Sequence, residues 1–225
     1  GSIRGLGRQG KGVQEAKFVG VPGAPGAAVG TAVVVLPPAD LNVVPDRSVD
    51  DIAAELELFD KALGWVREDM QELSEKLATQ LRKEERALFD VYLMMLEDAA
   101  LGNEVRKVIR TGQWAQGALR QVVLDHVNRF ELMDDAYLRE RASDVRDLGR
   151  RLLAYLQEER KTTLVYPDNT ILVSEELSPA MLGEVPEGKL VGLISVTGSG
   201  NSHVAIFARA MGIPTVMGCL LYTSP

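Results

Sequence analysis

The sequence is poor in the side chains that most often carry chemistry. Its 225 residues include one cysteine, Cys219, and two histidines, His126 and His203. A single thiol excludes an intrachain disulfide and fits a reducing, cytoplasmic setting. His126, His203 and Cys219 stand at no metal-ligand spacing, which argues against a zinc site. Long apolar runs are missing too, since none approaches the roughly 20 residues of a membrane-spanning helix. The opening "GSIRGLGRQGKGVQEAKF" has no apolar stretch of the signal-peptide kind. Positive charge is in deficit, with 25 Lys and Arg against 32 Asp and Glu, a net −7. That balance argues against sequence-independent nucleic-acid binding and suits a partner that presents a basic patch.

What is there separates into zones of different period. Residues 1–17, Gly-rich and basic (Arg4, Arg8, Lys11), read as a flexible lead. Residues 18–41, "FVGVPGAPGAAVGTAVVVLPPADL", are punctuated by Gly and Pro and then β-branched, which predicts strands with turns. Residues 46–159 are helical. Ser48, with Asp51 three residues on, is the expected N-cap. Ile52, Leu56, Phe59, Leu63, Val66, Met70, Leu73 and Leu77 then alternate by four and three, a heptad seam. Further helices are expected over 84–110, with Gly112 as the stop, over 115–132, and along Leu138, Ala142, Val145, Gly149, Leu152 and Leu156. Four long helices with short connections predict an antiparallel bundle.

From Thr163 the period changes again. "TTLVYP", "TILVS", "LVGLISV" and "PTV" read as short buried strands, and "SPAMLGEV" and "SHVAIFARAMG" as helices between them. The expected organisation is an α/β domain from 18–45 and 160–225, interrupted by the helical zone of 46–159. "CLLYTSP" starts like a strand and ends without a partner, so the α/β fold is expected to be incomplete at its C-terminal side.

The chemistry concentrates in "GSGNSHVAIFARAMGIPTV". A buried-strand candidate leads into Gly198, Ser199, Gly200, Asn201 and Ser202, and a short helix follows from His203. Free N–H groups and the dipole at such a helix start make an anion site. Gly200 lets backbone approach a ligand, and Asn201 or Ser202 is a good cap. A phosphoryl group placed on a histidine in that first turn would meet N–H donors. Small loops before helices also occur for structural reasons alone, and that alternative stands beside the functional one. There is no Gly-x-Ser-x-Gly elbow for a hydrolase. His126 shares a face with Leu119, Val123 and Phe130 and reads as a core or interface residue.

Two helical stretches matter further. "EERALFDVYLMMLED" is apolar nearly all round, so it is either a fully packed helix or a groove for a partner, with Met and Tyr beside acids. "YLRERASDVRDLGRRLL" mixes Arg139, Arg141, Arg146, Arg150 and Arg151 with Glu140, Asp144 and Asp147. It reads as a solvated face of spaced ion pairs.

Taken together, these motifs resemble one family. "GSGNSHVAIFARAMGIPTVMG" is similar to the phosphohistidine signature of enzymes that use phosphoenolpyruvate. "FDVYLMMLEDAALGNEV" and "YLRERASDVRDLGRRLL" resemble the helical subdomain of enzyme I of the bacterial phosphotransferase system, and "GVPGAPGAAVGTAVVV" its N-terminal arm. The wording is most like the nitrogen-related branch. The resemblance implies an α/β phosphohistidine (swivelling) domain with an inserted antiparallel four-helix bundle. It implies that His203 takes phosphate from phosphoenolpyruvate and passes it to a histidine of an HPr-like carrier. Gly198 to Ser202 would then cradle the phosphoryl group, and Glu84, Tyr92, Met94, Met95 and Asp98 would dock the carrier. In the sugar-system enzymes a threonine supports the histidine ring. Counting back without gaps places Leu182 there, and leaves Ser178 as the candidate hydroxyl.

The same resemblance implies a phosphoenolpyruvate-binding barrel with magnesium, through which full-length relatives dimerise, outside this sequence. The expectation is therefore a fragment that cannot use phosphoenolpyruvate alone. Two rival readings remain: a regulatory binding module without catalysis, and the swivelling domain of a pyruvate phosphate dikinase-like enzyme.

Overall fold

The computed structural model of the chain describes residues 2–9, 12–35, 39–97, 101–157, 164–198 and 202–219, with backbone alone for 4–9 and 12–18. The chain divides into two compact units, one of residues 1–36 with 165–225 and one of residues 37–164. Each is described by itself.

The first unit begins with two strands, β1 (Ser2–Gln9) and β2 (Gly12–Val19), paired antiparallel from Ser2↔Val19 to Gln9↔Gly12. The flexible lead expected over 1–17 is thus corrected to a two-stranded sheet. Glycines at positions 5, 7 and 12 dilute the alternation that would have announced it.

A five-stranded sheet forms the body of this unit. It holds β3 (Val21–Ala24), β4 (Thr31–Val34), β5 (Thr170–Ser174), β6 (Leu190–Ser195) and β7 (Thr215–Met217). Their spatial order is β3-β7-β6-β5-β4. β4 to β7 run parallel, and β3 joins β7 antiparallel as an edge. An edge is where Pro22 can sit without breaking the ladder. Leu172, Val173, Leu193 and Ile194 are buried, as a parallel sheet covered by helices requires. Two helices, which we call α6 (Pro179–Glu184) and α7 (His203–Met211), connect β5 to β6 and β6 to β7. "TTLVYP" is no strand in its described part, since residues 164–167 are irregular. It carries the right residue types, but Pro167 and the turn at Asn169 (φ +56) delay the strand to Thr170.

The second unit lies in sequence between the neighbouring parallel strands β4 and β5, so it occupies one crossover of the sheet. It contains α1 (Ile52–Leu77), α2 (Lys83–Leu96), α3 (Asn103–Arg110), α4 (Ala115–Glu131) and α5 (Ala136–Leu156). The heptad seam of α1 is its buried face, from Phe59 through Leu63, Val66, Met70 and Leu73 to Leu77. Asp51 caps α1 by accepting from Ala54 N at 3.0 Å, whereas Ser48 forms an isolated bridge with Gln113. The expected cap is therefore three residues too early. The single helix expected over 84–110 is two helices: the backbone turns extended at Glu97 (φ −69, ψ 158), while Gly102, directly before α3, is itself helical (φ −59, ψ −49). α4 and α5 pack closely at Gly149, where a Cβ would come within 2.7 Å of Val123 Cγ1. No helix among the described residues is long and apolar enough to cross a membrane.

Candidate functional site

The site begins with the crossover between β6 and β7. Because these strands are parallel, the chain leaves β6 at its C-terminal end, and α7 starts at that edge of the sheet. Open parallel sheets bind ligands at this edge. Ser202 has extended backbone (φ −64, ψ 157) and caps α7, its Oγ accepting from Ala205 N at 3.2 Å. His203 is the first residue of the helix and is half-buried. The helix dipole is positive at that end and supports a negative group there.

Apolar packing fixes the rest of α7. Val204, Ala205, Phe207 and Ala208 are buried, while Ile206 faces outward. Arg209 Nη1 donates to Gly23 O at 2.7 Å and ties the helix to β3. Gly212 ends α7 in the left-handed region at φ +68, where a side chain would be strained, and Pro214 follows. Of the predicted cradle, Gly198 takes φ +104, and Ser199, Gly200 and Asn201 lie outside the described residues. Ser178, the hydroxyl considered for the ring, caps α6 by accepting from Met181 N at 3.4 Å, and Leu182 is buried on the same helix.

The predicted docking residues separate on α2. Glu84 is exposed in its first turn, Met94 is 63% exposed and Met95 is half-buried. Tyr92 is corrected. Its ring is fully buried, and its hydroxyl donates to Asp144 Oδ1 at 2.9 Å, so it anchors α2 to α5 and cannot meet a partner. Burial, then the Asp144 and Asp147 carboxylates, push the Tyr92 phenol well above its ordinary value, so it stays a donor. Asp98 lies outside the described residues.

Asp144 and Asp147 were read from the sequence as solvated, yet both are buried, and Arg151 Nε donates to Asp147 Oδ2 at 3.1 Å. A buried phenol needs an acceptor from elsewhere, so the signal for these acids follows only once Tyr92 is known to be buried. Arg139 donates to Met133 O and Asp134 O, Arg146 pairs with Glu131, and Arg141 lies over the Tyr137 ring. These three thus find partners other than the interleaved Glu140, Asp144 and Asp147. His126 Nε2 lies 2.8 Å from Glu104 Oε2 across α4 and α3. Among the described residues no group of His, Cys, Asp and Glu could hold a metal ion.

Comparison with known proteins agrees with this architecture. The sequence family described as "PEP-utilising enzyme, N-terminal" matches residues 19–141, and "PEP-utilising enzyme, mobile domain" matches residues 166–224, where PEP is phosphoenolpyruvate. The chain is 35% identical over 205 residues to a Salmonella typhimurium protein named "Phosphoenolpyruvate-dependent phosphotransferase system". That alignment covers 91% of this chain and 27% of the relative, so the chain spans about a quarter of its length. A solved structure, "N-terminal domain of Enzyme 1 - Nitrogen", superposes with a TM-score of 0.63 at 35% identity, over 91% of this chain and 84% of that one. A second, a solution structure of "Enzyme I (nEIt)", gives 0.68 at 27% identity, over 89% and 82%. A histidine that opens a capped helix at the sheet's C-terminal edge falls within the mobile-domain match, and the chain belongs to the PEP-utilising enzymes, of the enzyme I kind.

Proposed function

We propose that the chain is the phosphoryl-relaying part of a phosphoenolpyruvate-protein phosphotransferase of the nitrogen-related system. The observation that carries this reading is His203 at the first position of α7, behind the Ser202 cap and inside the mobile-domain match. A ring nitrogen of His203 attacks the phosphorus of phosphoenolpyruvate; the phosphorus–oxygen bond breaks and enolpyruvate leaves as pyruvate after taking up a proton. A carrier histidine then attacks the same phosphorus, and the bond to His203 breaks. The chain's own contribution is to present the ring, to place N–H donors near the new charge, and to bind the carrier.

The first transfer needs a phosphoenolpyruvate-binding part, for which the described residues show no counterpart. Magnesium would act with that part; no described residues here fit it, and no step is assigned to it. The helical unit, with α1 to α5 where four helices were expected, is the proposed carrier-binding insertion. Its α2 offers an exposed Met94 near the acids Asp90 and Glu97, with Glu84 at the other end of the helix, and these complement an HPr-like carrier with apolar and basic groups around its histidine. The setting is cytoplasmic, and the whole enzyme is a homodimer.

Phosphoryl exchange tests the reading without phosphoenolpyruvate. Incubated with a carrier labelled on its histidine, the chain should acquire acid-labile label that His203→Ala abolishes. Label on the His203→Ala variant overturns the assignment.

A further inference from the structure

The described residues on either side of 199–201 are held by contacts from elsewhere in the unit. At the upstream end, Thr197 donates twice to the carbonyl of Glu175, from its N at 2.9 Å and from its Oγ1 at 2.9 Å. Ser195 Oγ donates to the same carbonyl at 3.4 Å. Val196 N donates to Ser174 O at 3.2 Å, so the β6–β5 pairing is extended by hydrogen bonds one step beyond the strands. At both ends the loop also meets the buried Met217 of β7. A Cβ on Gly198 would lie 2.8 Å from Met217 Cε, and Ser202 Oγ lies 3.5 Å from Met217 Sδ. Gly198 to Ser202 separate Thr197 from His203, and Ser202 adjoins the histidine.

We propose that Thr197 is a positioning residue for phosphoryl transfer, acting with the Met217 side chain that supports Gly198 and Ser202. This inference rests on the reading of His203 as the phosphoryl carrier. Thr197 fixes the exit direction of the chain from β6 through the Glu175 carbonyl. Met217 fixes where the loop returns to α7. Thr197 and Ser202 are thereby held on either side of residues 199–201, and Ser202 directly precedes the histidine. Transfer between two histidines depends on such alignment, because misplacement of a reacting group by about 1 Å can cost roughly a hundredfold in rate. The hydroxyl of Thr197 is exposed, so its bond to Glu175 does more for local geometry than for global stability.

The test is single-turnover transfer from labelled carrier to the full chain at saturating carrier, with thermal melts run alongside. Thr197→Val keeps the shape and removes the hydroxyl; it should slow transfer by about tenfold with the melt nearly unchanged. Thr197→Ser restores the donor and should recover most of the rate. Met217→Leu, which conserves volume, should lose rate in the same direction. Wild-type rates in Thr197→Val overturn the inference, and so does a Thr197→Ser variant as slow as Thr197→Val. Loss of rate only in proportion to loss of folded protein also overturns it. If the wild-type chain takes no label, or His203→Ala does, the underlying reading fails first, whatever the Thr197 variants show.

Discussion

Ser202 and Tyr92 show what local rules can and cannot reveal. A cap at Asn201 or Ser202 was legible because capping is decided within three residues, and the donor at Ala205 selects Ser202. Removing it in Ser202→Ala should cost about 1 kcal/mol, read as a lower urea midpoint with unchanged slope. Tyr92 was misread because its partner Asp144 is 52 residues away, and a phenol in an apolar run looks alike whether it faces a core or a partner. Tyr92→Phe retains the ring and deletes the donor to a buried carboxylate. A loss of about 2 kcal/mol is expected by denaturant titration. Carrier affinity of the folded variant should be unchanged, and a large drop in affinity would restore Tyr92 to the docking surface.

Long helices were readable where a seven-residue rhythm runs uninterrupted, as in α1 and α5, because one buried stripe repeats it. The join of α2 and α3 was not, since apolar residues nearly all round 84–97 conceal any change of face. Two glycines inside α1 and α5 separate helix propensity from packing. A Cβ at Gly64 meets nothing within 4 Å, so Gly64→Ala should stabilise by about 0.5–1 kcal/mol through propensity alone. At Gly149 the added Cβ would press within 2.7 Å of Val123 and 3.1 Å of Leu41, so Gly149→Ala should destabilise by about 1–2 kcal/mol despite the same propensity gain. Equal signs for the two variants in paired melts would contradict the close approach of α4 and α5. Glu85 governs the start of α2 in a different way. It accepts from Arg82 N at 2.8 Å, and this bond, with the neighbouring guanidinium, holds its carboxyl below its ordinary value. A depressed value means the contribution is complete above the unfolded carboxylate range and is lost as pH falls through the folded one. Glu85→Gln should therefore narrow its stability gap from the wild-type chain on acidification below about pH 4.

Across the whole chain, the change of period from heptads to short apolar runs disclosed an α/β fold interrupted by helices, and the sheet order shows that the interruption falls between neighbouring parallel strands. What no periodicity could supply was the antiparallel place of β3, which depends on pairing Val21 with Met217, far along the sequence. Charge, by contrast, is a property of the complete sequence. An excess of 32 acids over 25 bases should steer a basic carrier toward the chain, while the exposed Met94 should hold it once docked. These two effects respond differently to salt. The screening length shrinks from about 10 Å near 0.1 M to about 3 Å near 1 M, which weakens long-range attraction and leaves apolar contact intact. Carrier association, followed by stopped flow, should slow by about tenfold over that range while dissociation changes little. Met94→Ala should show the reverse, with faster dissociation and an unchanged salt slope. An association rate indifferent to salt would mean that the acidic surface takes no part in capture, and the α2 face would then have to recognise its partner by shape and apolar contact alone.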